Sequence, residues 1–276
     1  MGVAAPFRSE LMRLATWNVN SIRIRLSHVL AWLQKTIPDI VLLQEIKCPT
    51  ALFPKKEFIE LGYQHHLIVG QKSYNGVALL SKWQIQDIQD SLIRLPGDEQ
   101  DNQARYLEVI IEGMTISSLY LPNGNPVDSE KYLYKLKWME RLACHVEYLL
   151  EQEQPFVLGG DFNIIPAPED VYDPVAWKDD ALFCQEARMA FRRVLFLGLI
   201  DAYRACHPAN TEKTPAYTFW DYQNNRWIYD QGLRIDHFLL SPQVGDRLVD
   251  CMIDREPRGL SRASDHTPLI LDLLNT

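Results

Sequence analysis

Acidic, amide and imidazole side chains gather where the short apolar runs of this sequence end. Asn18 and Asn20 follow the run 14–17, and Gln44 and Glu45 follow 40–43. Tyr120 and Asn123 close the run that starts at Thr115, while Asp161 and Asn163 come just after 156–158, behind Gly159 and Gly160. Asp236 lies in the stretch 234–240, and Ser264, Asp265 and His266 lead into the last run, 269–273. Several carboxylates with one histidine, and no Cys or His cluster, suit a hard divalent cation such as Mg²⁺, which takes oxygen ligands and few protein contacts. Hydrolysis of a phosphate ester needs a Lewis acid, a group that orients or activates water, and donors for the developing charge. This inventory contains all three.

Each residue also has an ordinary structural use. Alone, Asp265-His266 reads as a surface pair, Gly159-Gly160 as a turn and Glu45 as a solvated strand end. Asp236-His237 is a similar dipeptide, but on a strand Arg234 and Asp236 share one face and His237 points to the other, so His237 reads as a packed or capping residue. His28, Trp32 and Trp138 fall within amphipathic helices and read as structural. His65 and His66 are adjacent without a partner at ligand spacing, which argues against a metal there.

These groups can cooperate only if the elements carrying them end at one rim. Apolar spacing predicts a helix over 25–36, stopped by Pro38, then a buried strand 40–43. Further strands are expected at 76–80, 107–111, 115–121, 156–158, 234–240 and 269–273, with long helices at 129–151 and 181–197. The first of these two helices would bury Leu133, Leu136, Met139, Leu142, Val146 and Leu149 or Leu150. Continuous apolar strands between amphipathic helices point to an α/β fold whose sheet is covered by helices. Strand ends in such a fold converge on one cleft.

The 276 residues lack an internal linker, so one domain spanning 12–276 is expected, with 1–11 a loose extension. Five cysteines without a CxxC pair read as reduced thiols. No run approaches the length of a membrane span and the start carries no apolar signal core, so a cytoplasmic protein is expected. A net charge of -8 argues against nonspecific binding to polyanions.

Six segments together resemble one family: 14–23 (LATWNVNSIR), 43–47 (LQEIK), 120–123 (YLPN), 160–163 (GDFN), 233–236 (LRID) and 264–268 (SDHTP). They resemble, in order and over residues 14–273, the exonuclease III family of apurinic/apyrimidinic (AP) endonucleases. The resemblance implies a four-layered α/β sandwich, two facing mixed sheets each covered by helices, with the site at one end. It implies Glu45 as the principal Mg²⁺ ligand, with Asn18 and Asp265 beside it and Mn²⁺ as a substitute. It implies Asp161 as the group that activates or positions water, assisted by Asn163, and His266 on the scissile phosphate, held by Asp236, with Tyr120 as donor. Whether Asp161 or the His266–Asp236 pair is the base stays open on residue types alone.

The implied partner is duplex DNA containing abasic sites or blocked 3′ ends, cut 5′ to the lesion by a monomer that also acts as a 3′-to-5′ exonuclease. With a negative total, phosphate contacts must come from local cations: Arg23, Lys47, Lys72, Arg105, Lys131 and Arg262 flank the segments, with Asn123 beside them. Phe219, Trp220, Leu233 and Ile235 would face the DNA. Phe219, Leu233 and Ile235 would form an apolar cup for a flipped, base-less sugar. A catalytically silent relative that binds nucleic acid is the alternative, but such a relative would lack metal and water residues that are all present here.

Overall fold

The computed structural model describes residues 10–86, 88, 91–209 and 215–275. Along the chain run β1 (Leu11–Asn18), α1 (Ile22–Thr36), β2 (Ile40–Gln44), α2 (Lys55–Glu60), β3 (His65–Val69), β4 (Val77–Ser81), β5 (Ile85–Gln86), β6 (Tyr106–Ile111) and β7 (Met114–Tyr120). There follow α3 (Glu130–Glu151), β8 (Phe156–Asp161), α4 (Gln185–Phe196), β9 (Ile200–Asp201), α5 (Ala202–Cys206), β10 (Asp236–Leu240), α6 (Pro242–Gly245), β11 (Leu248–Ile253) and β12 (Leu269–Leu274). The strands form two six-stranded sheets, in the orders β11-β12-β1-β2-β4-β3 and β5-β6-β7-β8-β10-β9. In each sheet the central pair is parallel, β1 with β2 and β7 with β8, and the crossover between them carries a long helix, α1 or α3.

The strands are apolar throughout because both their faces are covered. Leu14, Leu42, Val157 and Phe238 point into the layer between the sheets. Their neighbours Ala15, Val41 and Leu43 pack outward against Val29, Trp32 and Leu33 of α1. On the second sheet, Leu158 and Leu239 pack outward against Trp138, Leu142, Phe191 and Val194 of α3 and α4. Helix, sheet, sheet and helix make the four layers expected.

Several boundaries differ from the sequence reading. Leu11 pairs with Leu274 and the Glu10 carbonyl accepts from Asn275 N, so the last residue assigned to the loose extension belongs to β1; residues 1–9 lie outside the described residues. Helix α4 starts at Gln185 rather than Ala181, because Asp180 caps a preceding turn, its Oδ1 accepting from Leu182 N at 2.8 Å. On α3 the buried stripe is Tyr132, Lys135, Trp138, Met139, Leu142 and Val146, while Leu133 is 52% exposed. The expected stripe was thus displaced by one residue in its first two turns. Strands β3 and β11 were not anticipated, since each is only half-buried at its sheet edge.

Beneath the rim lies a buried ionic knot. Arg234, 1% exposed, donates from Nε and Nη2 to Asp170 at 2.7 and 3.1 Å and from Nη1 to Asp201 at 2.9 Å, and Arg204 also binds Asp170. His237 completes it: Nδ1 accepts from Arg234 Nη1 at 3.1 Å, and Nε2 donates to the Ile164 carbonyl at 3.0 Å. Its ring packs against both Phe162 and Phe191, so His237 is the packed residue that the strand pattern indicated.

Two outcomes follow from this knot. Asp170→Ala leaves two guanidinium groups without their shared carboxylate and should cost about 3–5 kcal/mol in urea unfolding. Burial, reinforced by Arg234, pushes the His237 imidazolium down from 6.5 to about 4. The unfolded chain therefore binds a proton that the native chain refuses. This contribution is present above pH 6.5 and is lost as pH falls toward 4, at up to about 1.4 kcal/mol per pH unit. His237→Gln should flatten that part of the stability profile, and an unchanged slope would contradict the assignment.

Candidate active site

The last residues of β1, β2, β7 and β8 and the first residue of β10 meet at one rim, because β10 runs antiparallel to β8 with Asp236 opposite Asp161. The 264–267 loop closes it, its Ser264 Oγ donating to the Asn18 carbonyl at 2.7 Å. Gly160, at φ +153, lets β8 pass against β7: a Cβ there would sit 2.0 Å from the Leu119 carbonyl oxygen. Asp161 therefore enters the rim directly after a close approach of two paired parallel strands.

Asn18 is the centre of the site. Its Nδ2 donates to Glu45 Oε1 and to Asp161 Oδ2, both at 2.9 Å, while its Oδ1 accepts from Asn20 N at 3.0 Å. Asn18, expected beside Glu45 at the metal, here presents its N–H groups to the two carboxylates and accepts from the Asn20 backbone with its oxygen. Glu45 sits in a left-handed backbone at φ +48, a conformation that costs an L-residue and is held here by neighbouring backbone bonds, Ser21 N to Glu45 O and Ile46 N to Gly76 O.

Glu45, Asp161 and His266 each offer a ligand atom, all within 4.8 Å of one another. Asp265 is not part of that cluster. Its Oδ1 accepts from Asn20 Nδ2 at 3.0 Å, which sets it one residue farther out. Burial opposes the Glu45 charge, but Lys47 at 2.8 Å and the bond from Asn18 outweigh it and hold the carboxyl below its usual range. Asp161 is pushed the other way, chiefly by burial, with Asp236 adding to the rise. His266 donates from Nδ1 to Asp236 Oδ2 at 2.8 Å, and its Nε2 lies 3.6 Å from Asp161 Oδ2. Although burial disfavours its charge, those two aspartates raise its pKa and keep it an imidazolium at neutral pH.

Asn163 donates its backbone N–H to Asp161 Oδ1 at 2.8 Å and its side-chain amide to the Leu121 carbonyl; Asn123 donates to Asn163 Oδ1 at 3.2 Å. Burial and then Glu45 raise the Tyr120 phenol well above its usual value, so it remains a donor. Thr218, absent from the sequence reading, accepts from the N–H groups of Ile235 and Asp236 at 3.1 Å each and fixes the entry of β10. Its only trace in the sequence is a hydroxyl between two aromatics.

The expected DNA contacts divide. Arg23 is exposed on the first turn of α1, and Asn123 is exposed at the rim. Lys47 is engaged with Glu45 and donates to Asn20 Oδ1 at 2.6 Å. Arg105 lies over the Tyr120 ring at 4.8 Å and lines a cleft of about 380 Å³ with Tyr74, Gln103, Asn123 and Lys131. Trp220 is corrected: it is 0% exposed, bonded to Asp230 and packed on Trp227, and so has no surface to offer. Leu233 and Ile235 are each 1% exposed and pack with Val171, Leu182 and Phe183, which makes them the floor of a filled cluster and not the wall of an open cup. Phe219 alone of the four is partly exposed, edge-on to His266 at 4.9 Å.

The rim therefore combines two carboxylates, an imidazolium and a phenol with a flanking basic cleft, an arrangement suited to phosphate-ester hydrolysis. A model of the Endonuclease/Exonuclease/phosphatase family matches residues 15–266. Exodeoxyribonuclease III of Haemophilus influenzae is 31% identical over 271 residues, spanning 94% of this chain and 98% of that protein. Among solved structures, an AP endonuclease from Archaeoglobus fulgidus superposes with a TM-score of 0.88 at 36% identity, covering 96% of this chain and 100% of the other. A 3′-5′ exonuclease from Neisseria meningitidis superposes with a TM-score of 0.89 at 37% identity, covering 95% and 99%. The rim residues, the two facing sheets and these full-length similarities agree: the chain belongs to the Endonuclease/Exonuclease/phosphatase family, among its exodeoxyribonuclease III-type members.

Proposed function

We propose that this protein is a Mg²⁺-dependent DNA repair hydrolase that cuts the backbone of duplex DNA 5′ to abasic sites and trims blocked 3′ ends, in the cytoplasm. The observation that carries the reading is the joining of Glu45 and Asp161 by the Asn18 amide, with the His266 imidazolium 3.6 Å from Asp161. Glu45 offers a hard oxygen donor with Asp265 nearby, and a divalent cation held there would supply Lewis acidity toward a phosphoryl oxygen. Mn²⁺ fits the same donors.

The chain's own residues account for the remainder of the chemistry. Asp161, its pKa raised by burial, accepts a hydrogen bond from water and takes its proton as the water attacks phosphorus; the P–O3′ bond breaks, and the departing 3′ oxygen takes up a proton from solvent to leave a 3′-hydroxyl and a 5′-phosphate. Its Oδ1 is pinned by Asn163 N, which directs the other oxygen into the rim. The His266 imidazolium, oriented by Asp236, and the Tyr120 hydroxyl donate to the phosphate oxygens as charge develops. Arg23 and the Arg105 cleft hold flanking phosphates without reading sequence.

Substrate choice is the finer part of the proposal, since the structural relatives include both an AP endonuclease and a 3′ phosphatase bound to product DNA. Phe219 supports abasic DNA: it is the apolar side chain that lies partly open beside His266. A base-less nucleotide also has little stacking to lose on leaving the helix.

Incision of abasic duplex should require Mg²⁺ or Mn²⁺ and cease in excess chelator. Glu45→Gln, Asp161→Asn and His266→Ala should each lower kcat by roughly a thousandfold, about 4 kcal/mol of barrier, with melting temperature preserved. Full activity in chelator would refute the metal reading. Phe219→Ala should narrow the preference for abasic over intact duplex, measured at one salt concentration while metal-dependent cleavage persists. An unchanged preference would move selectivity to other residues.

A further inference from the structure

Lys135 projects from the buried face of α3 and is 0% exposed. Its Nζ donates to three backbone carbonyls: Asn123 at 3.0 Å, Asn163 at 2.7 Å and Ala181 at 2.8 Å. An ammonium has three N–H bonds, so each is spent on a different segment: the loop after β7, the loop after β8 and the turn leading into α4. These segments are further tied to one another. Asn125 donates to Asp180 at 3.1 Å and accepts from Ala181 N at 3.1 Å, and Asn123 donates to Asn163. Gly124, at φ +89, lies directly over the lysine, where a Cβ would come within 2.6 Å of Lys135 Cδ.

We propose that Lys135 is a positioning residue for hydrolysis: acting through the backbone of Asn123 and Asn163, it fixes the wall of the rim against which Asp161 is aimed. The proposal rests on the hydrolase reading above. An apolar side chain of equal volume would fill this place without the cost of burying a charge. Burial does lower the Lys135 ammonium, to about 7, against the opposing pull of Cys184, Asp180 and Asp161. What the charge supplies is convergence, three donors from one atom, as neither a methylene chain nor a single amide can. The loop positions then reach Asp161 by a short path, from the Asn163 carbonyl held by Lys135 to the Asn163 N–H on Asp161 Oδ1.

The test is Lys135→Met, assayed on abasic duplex well below the variant's melting temperature, with hydrogen exchange followed over 121–125, 162–165 and 180–184. The expected result is a 10- to 100-fold fall in kcat with KM much less affected, and faster exchange in all three segments. Asn123→Ala should also cost far less in the Lys135→Met background than in wild type. Normal kcat in the folded variant, additive effects, or unchanged exchange would each overturn the proposal. If Lys135→Met does not fold, Gly124→Ala displaces the loop from the lysine while leaving its charge; a kcat-selective loss supports the proposal, and normal kcat overturns it. A wild-type enzyme that leaves abasic duplex intact would instead count against the proposed function, and the exchange data would still decide the positioning role.

Discussion

Two carboxylates from opposite sheets meet over one amide. Glu45 follows a strand of the first sheet and Asp161 ends a strand of the second; the Asn18 Nδ2 donates to both at 2.9 Å. Buried like charges repel, so this meeting is tolerated only where donors and cations surround it. Lys47 on one side and the His266 imidazolium on the other provide the compensation, each itself oriented by a further polar partner, Asn20 and Asp236. The separation of the sheets, the turn at Glu45 and the close approach of β8 to β7 at Gly160 all serve this single juxtaposition.

The chemistry of the rim explains how an acidic protein can engage a polyanion. The acids face inward, toward one another and their donors, whereas Arg23, Lys131 and the Arg105 cleft lie along the outer approach. Global charge sets long-range attraction, but phosphate contacts are made by local cations at short range.

The layered fold was legible because its strands are apolar on both faces and its long helices are amphipathic. The same runs end in the polar residues of the rim, so the short segments that carry them meet in space. Information was lost where a side chain's environment comes from distant segments. Trp220 looks like a surface aromatic in a polar loop until Trp227 and Asp230 close over it. Leu233 and Ile235 read as a cup because Leu182 and Phe183, some fifty residues earlier, fill the space only in three dimensions. Lys135 interrupts an apolar stripe, and a charge in that position has no local explanation: its three acceptors come from three loops.

The first sheet also closes the two ends of the chain on each other, β1 lying between β2 and β12, with Leu11 opposite Leu274. β2 follows β1 after a single helix, whereas the strand that covers the other edge of β1 comes from more than two hundred residues along the chain. His266 arrives with it. Without the 264–268 segment the rim has no imidazolium beside Asp161. Sealing the first sheet with β12 and bringing His266 to the rim are thus a single placement: one segment of chain supplies both.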